Sequence, residues 1–305
     1  MGRYVFRRLV QGIIALFILG TIVFILARVT GDPVNLLLPA DATQEDRVRL
    51  SQELGLDRPY YVQYFEFATA TIKGDFGTSL RFQRPALDLI KERLPNSLLL
   101  VGAAFILALV IGIPLGVIAG SRRGGVIDSV CRLVAVVGIA APNFWVALVL
   151  MQIFAVQLKV LPTARMGGID HYVLPAFSLC FFVLAGMMRL LRSSMIEVLD
   201  SEFVKLARIK GVSTRIIVWK HCLRNSLVPA LSFAGTYFGL MVGGAIVIES
   251  IFAWPGIGRL SYEGILYRDY PLLQATVLFN GALIIMVNFM VDALYSYVDP
   301  RIRRD

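Results

Sequence analysis

Residues 200–229 read D-S-E-F-V-K-L-A-R-I-K-G-V-S-T-R-I-I-V-W-K-H-C-L-R-N-S-L-V-P. Asp200 or Ser201 stands where a helix can be capped, and Glu202 falls in the first turn, near the positive end of the helix dipole. Phe203, Leu206, Ala207 and Lys210 recur at helical spacing and form a narrow apolar stripe beside Lys205 and Arg208. Gly211 then ends the helix by taking a left-handed conformation. Ser213 caps a second helix that carries Ile216, Ile217 and Lys220 towards Pro229. The stretch is a helix–glycine–helix elbow, basic at its edges and apolar along its contact stripe. Two readings fit such a knob equally on physical grounds. It docks into a groove of a partner protein, or it lies on anionic lipid.

On either side of the elbow the chain turns strongly apolar. Of its 305 residues 57% are hydrophobic and only 17% charged, against about 25% charged in an ordinary soluble domain. Mean hydropathy is +0.72. Six apolar runs are long enough for a hydrocarbon core of about 30 Å: Leu9–Val29, Ser97–Gly120, Val130–Val156, Val173–Leu191, Leu227–Phe252 and Leu273–Val298. The expected fold is therefore an all-α polytopic membrane protein with six transmembrane helices, one domain over 1–305. Pro142 lies inside the third run, and Gly235, Gly239, Gly243 and Gly244 inside the fifth; membrane helices accommodate both kinds of residue.

Lys and Arg in the short loops set the orientation. Arg3, Arg7 and Arg8 precede the first run, and Arg122 and Arg123 follow the second. Arg189, Arg192, Lys205, Arg208, Lys210, Arg215, Lys220 and Arg224 lie between the fourth and fifth, and Arg301, Arg303 and Arg304 end the chain. With six spans all of these share one side, so both termini are expected in the cytoplasm and 190–226 forms a cytoplasmic loop. The first run is longer than the apolar core of a signal peptide and no A-x-A site follows it, so it reads as a retained anchor. Residues 30–96 form an extracytoplasmic insertion with turn signals at Gly31-Asp32-Pro33, Leu54-Gly55-Leu56-Asp57 and Gly74-Asp75-Phe76-Gly77. Its clustered Tyr60, Tyr61, Tyr64, Phe65 and Phe67 call for burial, which predicts a small folded cap on the membrane surface.

Catalytic chemistry is not written in the chain. It has no G-x-x-x-x-G-K-[ST], H-E-x-x-H or G-x-S-x-G pattern, so any energy source lies on another chain or in an ion gradient. Cys131, Cys180 and Cys222 are spread without C-x-x-C spacing, and the two histidines, His171 and His221, are separated by a span. Neither a disulfide framework nor a metal site is expected. The net charge of +9 is accounted for by the loop cations, which excludes a nucleic-acid surface. Asn143, Asn280, Asn288 and Asp292 are polar groups within spans, with Asp292 near the cytoplasmic end. Glu249 stands at the outer end of the fifth span, where a structural or gate role fits better than a proton relay. A self-contained secondary transporter would show two similar halves and midplane charges; neither is evident.

The stretch Glu202–Gly211, followed by Lys220–Pro229, resembles the EAA loop of ATP-binding-cassette importer permeases in its peptide-permease variant. Ala207, Gly211 and Leu223 keep the general pattern, while Lys205, Leu206 and Arg224 depart from it in the manner of the dipeptide/oligopeptide/nickel branch. The outer-region turns named above, Leu161-Pro162, His171 with Leu174-Pro175, and Glu249 followed by Trp254-Pro255-Gly256-Ile257-Gly258 extend the likeness over the whole chain. Arg268-Asp269-Tyr270-Pro271 and Asp299-Pro300 complete it. The chain is similar to the B-type permease of these importers, and the resemblance implies the type I importer permease fold. It implies a bacterial inner-membrane location, a homologous second permease, two ATPase subunits and an extracytoplasmic solute-binding protein. Glu202, Phe203, Leu206, Ala207, Lys210 and Gly211 would be the coupling helix that seats in an ATPase. Glu249, Trp254, Pro255, Gly256 and Asp269 would form a gate or binding-protein contact. No cofactor is expected on this chain, with ATP and Mg on the ATPases. The transported solute, be it a peptide, glutathione or a nickel chelate, is left to the binding protein.

Overall fold

The computed structural model describes residues 2–29, 34, 38, 42–53 and 55–298, with side chains described over 6–29, 34, 38, 42–52 and 55–291. Gly31-Asp32-Pro33, Leu54, Asp299-Pro300, the C-terminal arginines and the side chains of Arg3 and Asp292 lie outside that set. Among the described residues every regular element is helical: α1 (Gly2–Val29), α2 (Gln44–Glu53), α3 (Tyr60–Ile72), α4 (Ala86–Ser121), α5 (Val126–Ala140), α6 (Asn143–Leu150, continued by a π turn Met151–Gln157), α7 (Asp170–Leu199), α8 (Glu202–Ile209), α9 (Thr214–Ile216, continued by a π turn Ile217–Cys222), α10 (Leu223–Ile251), α11 (Ile257–Leu266) and α12 (Tyr270–Val298). These fall into two compact units, 1–97 with 255–289, and 98–254 with 290–305.

In the first unit α1 and α12 run antiparallel. Gly12 faces Ile285, Gly20 faces Leu278, and Gly281 faces Leu16 and Leu19. The chain thus enters α1 and approaches the end of α12 at the same end of this pair. Helix α3 lies along α1 in the opposite direction, with Tyr64 hydroxyl 2.7 Å from Thr21 Oγ1, Phe67 against Phe24, and Arg28 Nε donating to Gln63 Oε1 at 3.3 Å. The aromatic cluster expected to bury itself is therefore split. Tyr64 and Phe67 pack inward, while Tyr60, Tyr61 and Phe65 stay more than two-thirds exposed, because a helix can turn only one face to its neighbour. Thr43 caps α2 reciprocally with Asp46: each backbone N–H donates to the other's side chain, at 3.0 and 3.2 Å. The hydrogen bond from the Thr43 hydroxyl, with that from its N–H, holds the Asp46 carboxyl below the usual carboxylate range.

A core of Ala86, Leu89, Ile90, Ile257, Leu260, Leu272 and Ala275 joins the first turns of α4 to α11 and α12. It is edged by polar ties: Ile257 N–H donates to Ser97 Oγ at 2.8 Å and Asn96 Nδ2 to the Pro255 carbonyl at 2.8 Å. Asn280, a polar group within a span, donates to Ser261 Oγ at 3.2 Å. An apolar cavity of about 330 Å³ lies between α1, α3 and α12, lined by Phe17, Gly20, Phe67, Leu278 and Ala282 among others.

The second unit is organised on α7. Residues 112–120 read G-I-P-L-G-V-I-A-G, and the three glycines, four apart, share one face of α4. Gly112 meets Leu184 and Met187, Gly116 meets Met188 and Leu191, and Gly120 meets Arg192 and Met195. A Cβ at Gly116 would lie 3.0 Å from Leu191 Cβ and 3.1 Å from the Met188 carbonyl, so only glycine lets the two backbones come this close. Each four-residue step along α4 matches a four-residue step along α7 in the same sense, so the two helices are parallel. Helix α5 runs the other way, with Asp128 against Arg192 and Gly138 against Ala185. Helix α10 is also antiparallel to α7, with Phe233 at Gly186, Tyr237 at Phe182 and Gly244 at Leu179.

Among the described residues five helices are individually long and apolar enough to cross a membrane, while α5 and α6 qualify only as a pair bent by 114°. The third expected span is therefore not one rod. It breaks at Ala141, held extended (φ −79°, ψ 126°) by the proline that follows it. The parallel course of α4 and α7 settles how this pair counts, because the chain must return to the starting end between them. Counted as one broken span, α5 and α6 bring the candidate spans among the described residues to six. Within the expected 190–226 loop, residues 190–199 continue α7 and the elbow follows from Asp200.

Candidate functional site

The elbow sits where α7 ends. Ser201 takes an extended conformation ahead of α8 (φ −73°, ψ 154°), but its hydroxyl donates back to the Val198 carbonyl at 2.5 Å. The expected side-chain cap is thus absent at Ser201, and Ser213 likewise adopts N-cap geometry without a side-chain bond. Glu202 pairs instead with Lys205 at 2.7 Å. On α8 only Val204 is fully buried, anchoring the helix to the body. Phe203 and Leu206 are 42% and 57% exposed, and Ile209 82%. Ala207 is half-buried and Lys210 exposed. The expected stripe thus faces outward, with Ile209 added to it.

Helix α8 stops through a pair of hydrogen bonds. Gly211 N–H donates to the Arg208 carbonyl at 3.0 Å and Val212 N–H to the Ala207 carbonyl at 3.1 Å, the Schellman arrangement. It needs the residue at the turn to be left-handed, and Gly211 has φ +76°. A Cβ there would meet nothing within 4 Å, so the constraint is purely backbone. Beyond it Ile217, Val218 and Cys222 are buried, while Ile216 and Trp219 remain more than two-fifths exposed. Arg208, Lys210, Arg215, Lys220 and His221 are exposed around them. The tip is an apolar patch ringed by cations on a short rigid helix. Among the described residues no group of three or more His, Cys, Asp or Glu side chains is placed to hold a metal ion.

The residues expected at a gate or docking face lie away from the elbow in sequence, at the end of α10 and ahead of α11 and α12. Glu249 and Trp254 are fully buried at the C-terminal end of α10. Trp254 N–H donates to the Glu249 carbonyl at 2.8 Å, and the Trp254 ring meets Tyr172 edge-on at 4.6 Å. In the other unit Pro255 accepts from Asn96, and Gly256 precedes α11 in extended conformation. Asp269 is 1% exposed. It caps α12 through Leu272 N–H at 3.2 Å and accepts from Ser79 Oγ at 2.5 Å and Arg81 N–H at 3.1 Å. Glu249, Trp254 and Asp269 are thus buried, and Asp269 holds the start of α12 to the Ser79–Arg81 turn.

Sequence reasoning missed Asp128 and Arg192. Asp128 is 1% exposed and receives both Arg192 Nε and Arg192 Nη2, the latter at 3.0 Å. Gly124 N–H adds a third hydrogen bond at 2.9 Å. The available signal was a carboxylate and a guanidinium within neighbouring apolar helices, which is costly unless paired. Starting the third span at Val130 hid it, by leaving Asp128 in a loop.

Residues 112–304 match the family described as Binding-protein-dependent transport system inner membrane component. The chain belongs to this family. Residues 1–101 match the companion model, Binding-prot-dependent transport system membrane comp, N-term. Proteins similar to the chain over 99% of both lengths include the oligopeptide transport system permease protein AppB of Bacillus subtilis, 37% identical. They also include the glutathione transport system permease protein GsiC of Salmonella choleraesuis, 39% identical, and of Escherichia coli K12, 38% identical. Among solved structures, a chain of the MetNI methionine ABC transporter in an inward facing conformation aligns with TM-score 0.56 at 17% identity. It covers 70% of this chain and 97% of that one. The inner membrane component fold is thus shared at a distance where identity carries no further detail.

Proposed function

We propose that this chain is the permease subunit of an ATP-driven, binding-protein-dependent importer for peptides or peptide-like solutes, and that its elbow is the seat of an ATPase. One observation carries the docking reading: a rigid apolar tip (Phe203, Leu206, Ile209) stands exposed within a ring of cations. A surface of that kind gains most from a partner's groove, where the apolar residues are buried and the ring meets acidic side chains. The relatives named for oligopeptide and glutathione transport support the solute class. The assembly consists of a second, homologous permease, two ATPases that hold ATP and Mg, and an extracytoplasmic solute-binding protein. The chain itself holds no cofactor and hydrolyses nothing.

The elbow, the Arg122–Arg123 turn and both termini face the cytoplasm from the bacterial inner membrane. Their shared sign of charge supports this, as do two features of the fold. The parallel α4 and α7 put the turn and the elbow at one end of their unit, and the antiparallel α1 and α12 bring Gly12, early in the chain, beside Ile285, late in it, in the other. ATP binding draws two such elbows together and biases the paired bundles between inward-open and outward-open arrangements. The test is Leu206→Glu, which sets a carboxylate in the middle of the apolar tip. ATPase recovered with the tagged chain from gently solubilised membranes is expected to fall at least about tenfold, the equivalent of about 1.4 kcal/mol. Unchanged recovery would assign the tip to the lipid surface.

A further inference from the structure

We propose that the Asp128–Arg192 pair is a joint that makes α4 and α5 move with the elbow, and that Asp128 is a positioning residue for coupling. This rests on the elbow's being the ATPase seat. Arg192 lies two turns before the end of α7, and three helices meet on it. Its backbone is the floor for Gly120 of α4, where a Cβ would stand 3.0 Å from the Arg192 carbonyl and 2.6 Å from Met195 Cβ. Its guanidinium grips Asp128 of α5 through two nitrogens. Asp128 in turn takes Gly124 N–H at 2.9 Å, which ties down the turn joining α4 to α5; Gly124 is left-handed at φ +80°. Arg132 approaches Asp128 Oδ2 at 3.9 Å from a side chain 56% exposed and adds little.

A fork-to-carboxylate pair resists rotation as well as separation, and at Asp128 it is fully enclosed. Met195, fully buried, continues the contact one turn nearer the elbow. Any displacement of α8 that moves the end of α7 therefore reaches α4 and α5 directly, without passing through α10. Burial of an ion pair is not in itself a gain in stability, and an apolar pair of similar volume often serves as well. What the pair supplies is a fixed register between three helices.

The test uses the full chain with the ATPase subunits that co-purify with it. Nitroxide labels at Val126→Cys on α5 and Thr214→Cys in the elbow report their separation by electron–electron resonance, without nucleotide and with a non-hydrolysable ATP analogue. In the otherwise unaltered complex one unchanged distance is expected in both states. A distance that shifts with the analogue would overturn the joint. Asp128→Ala combined with Arg192→Met removes the grip without stranding a charge. There the distance is expected to shift with the analogue while ATPases remain bound; a distance as constant as before would mean the pair only fills space. Should no ATPase accompany the unsubstituted chain, the docking reading fails and the coupling role falls with it. That outcome is told apart from a failed joint, in which the ATPases stay and the distance moves.

Discussion

At the scale of single residues, two positions have consequences that follow from geometry alone. Gly211 is left-handed with free space around its missing Cβ, so substitutions there are penalised by backbone conformation and not by clash. The cost is about 1–2 kcal/mol for an ordinary L residue, less for Asn and most for a β-branched side chain. Transport per ATP hydrolysed is expected to fall in the order Gly, Asn, Ala, Val, with chain abundance unchanged; a Val variant that couples as well as the native chain would contradict the turn's role. Asp269 gives the complementary case. Its two oxygens accept from Ser79 Oγ, Arg81 N–H and Leu272 N–H, and Asp269→Asn forces an amide donor against one of those donors. An unsatisfied buried group costs about 1–3 kcal/mol, so the thermal midpoint of the detergent-solubilised chain is expected to drop. A midpoint equal to the native one would argue that this oxygen cage is not held in the folded chain.

At the scale of elements, the G-x-x-x-G-x-x-x-G face of α4 packs closely on α7. Gly116→Leu places a side chain where Leu191 Cβ and a backbone carbonyl already stand, and a backbone cannot yield as a side chain can. Overpacking of this kind costs about 1–3 kcal/mol or more, read as loss of folded chain in the membrane. Normal yield and melting of that variant would contradict the close approach. The six apolar runs, the elbow and its stopping glycine were legible in residue order, because each depends on local spacing or on a single backbone requirement. Four things were not. The bend at Ala141–Pro142 is invisible to hydropathy, which reads α5 and α6 as one run. The outward face of α3 depends on which side α1 covers. Asp128 and Arg192, 64 positions apart, become a pair only once α5 and α7 are set antiparallel. Likewise Asp269 reads as a loop acid until Ser79, from the far end of the chain, closes over it.

For the whole molecule, helix directions within each unit give an odd–even count that the apolar runs alone leave open. Parallel α4 and α7 require the bent pair between them to cross once, and the elbow then shares an end with the Arg122–Arg123 turn. The α7–elbow–α10 connection leads from an exposed apolar tip, past a three-helix junction, into the span that ends at buried Glu249 and Trp254. Function, on the proposed reading, is transmission: a push at the tip becomes a change of helix packing. The measurement that addresses this most directly is site-specific photocross-linking from position 209, the most exposed residue of the tip, in native membranes. The account predicts a discrete adduct with an ATPase subunit, formed in proportion to the assembled complex. Labelling of lipid alone, with no ATPase adduct, would contradict it.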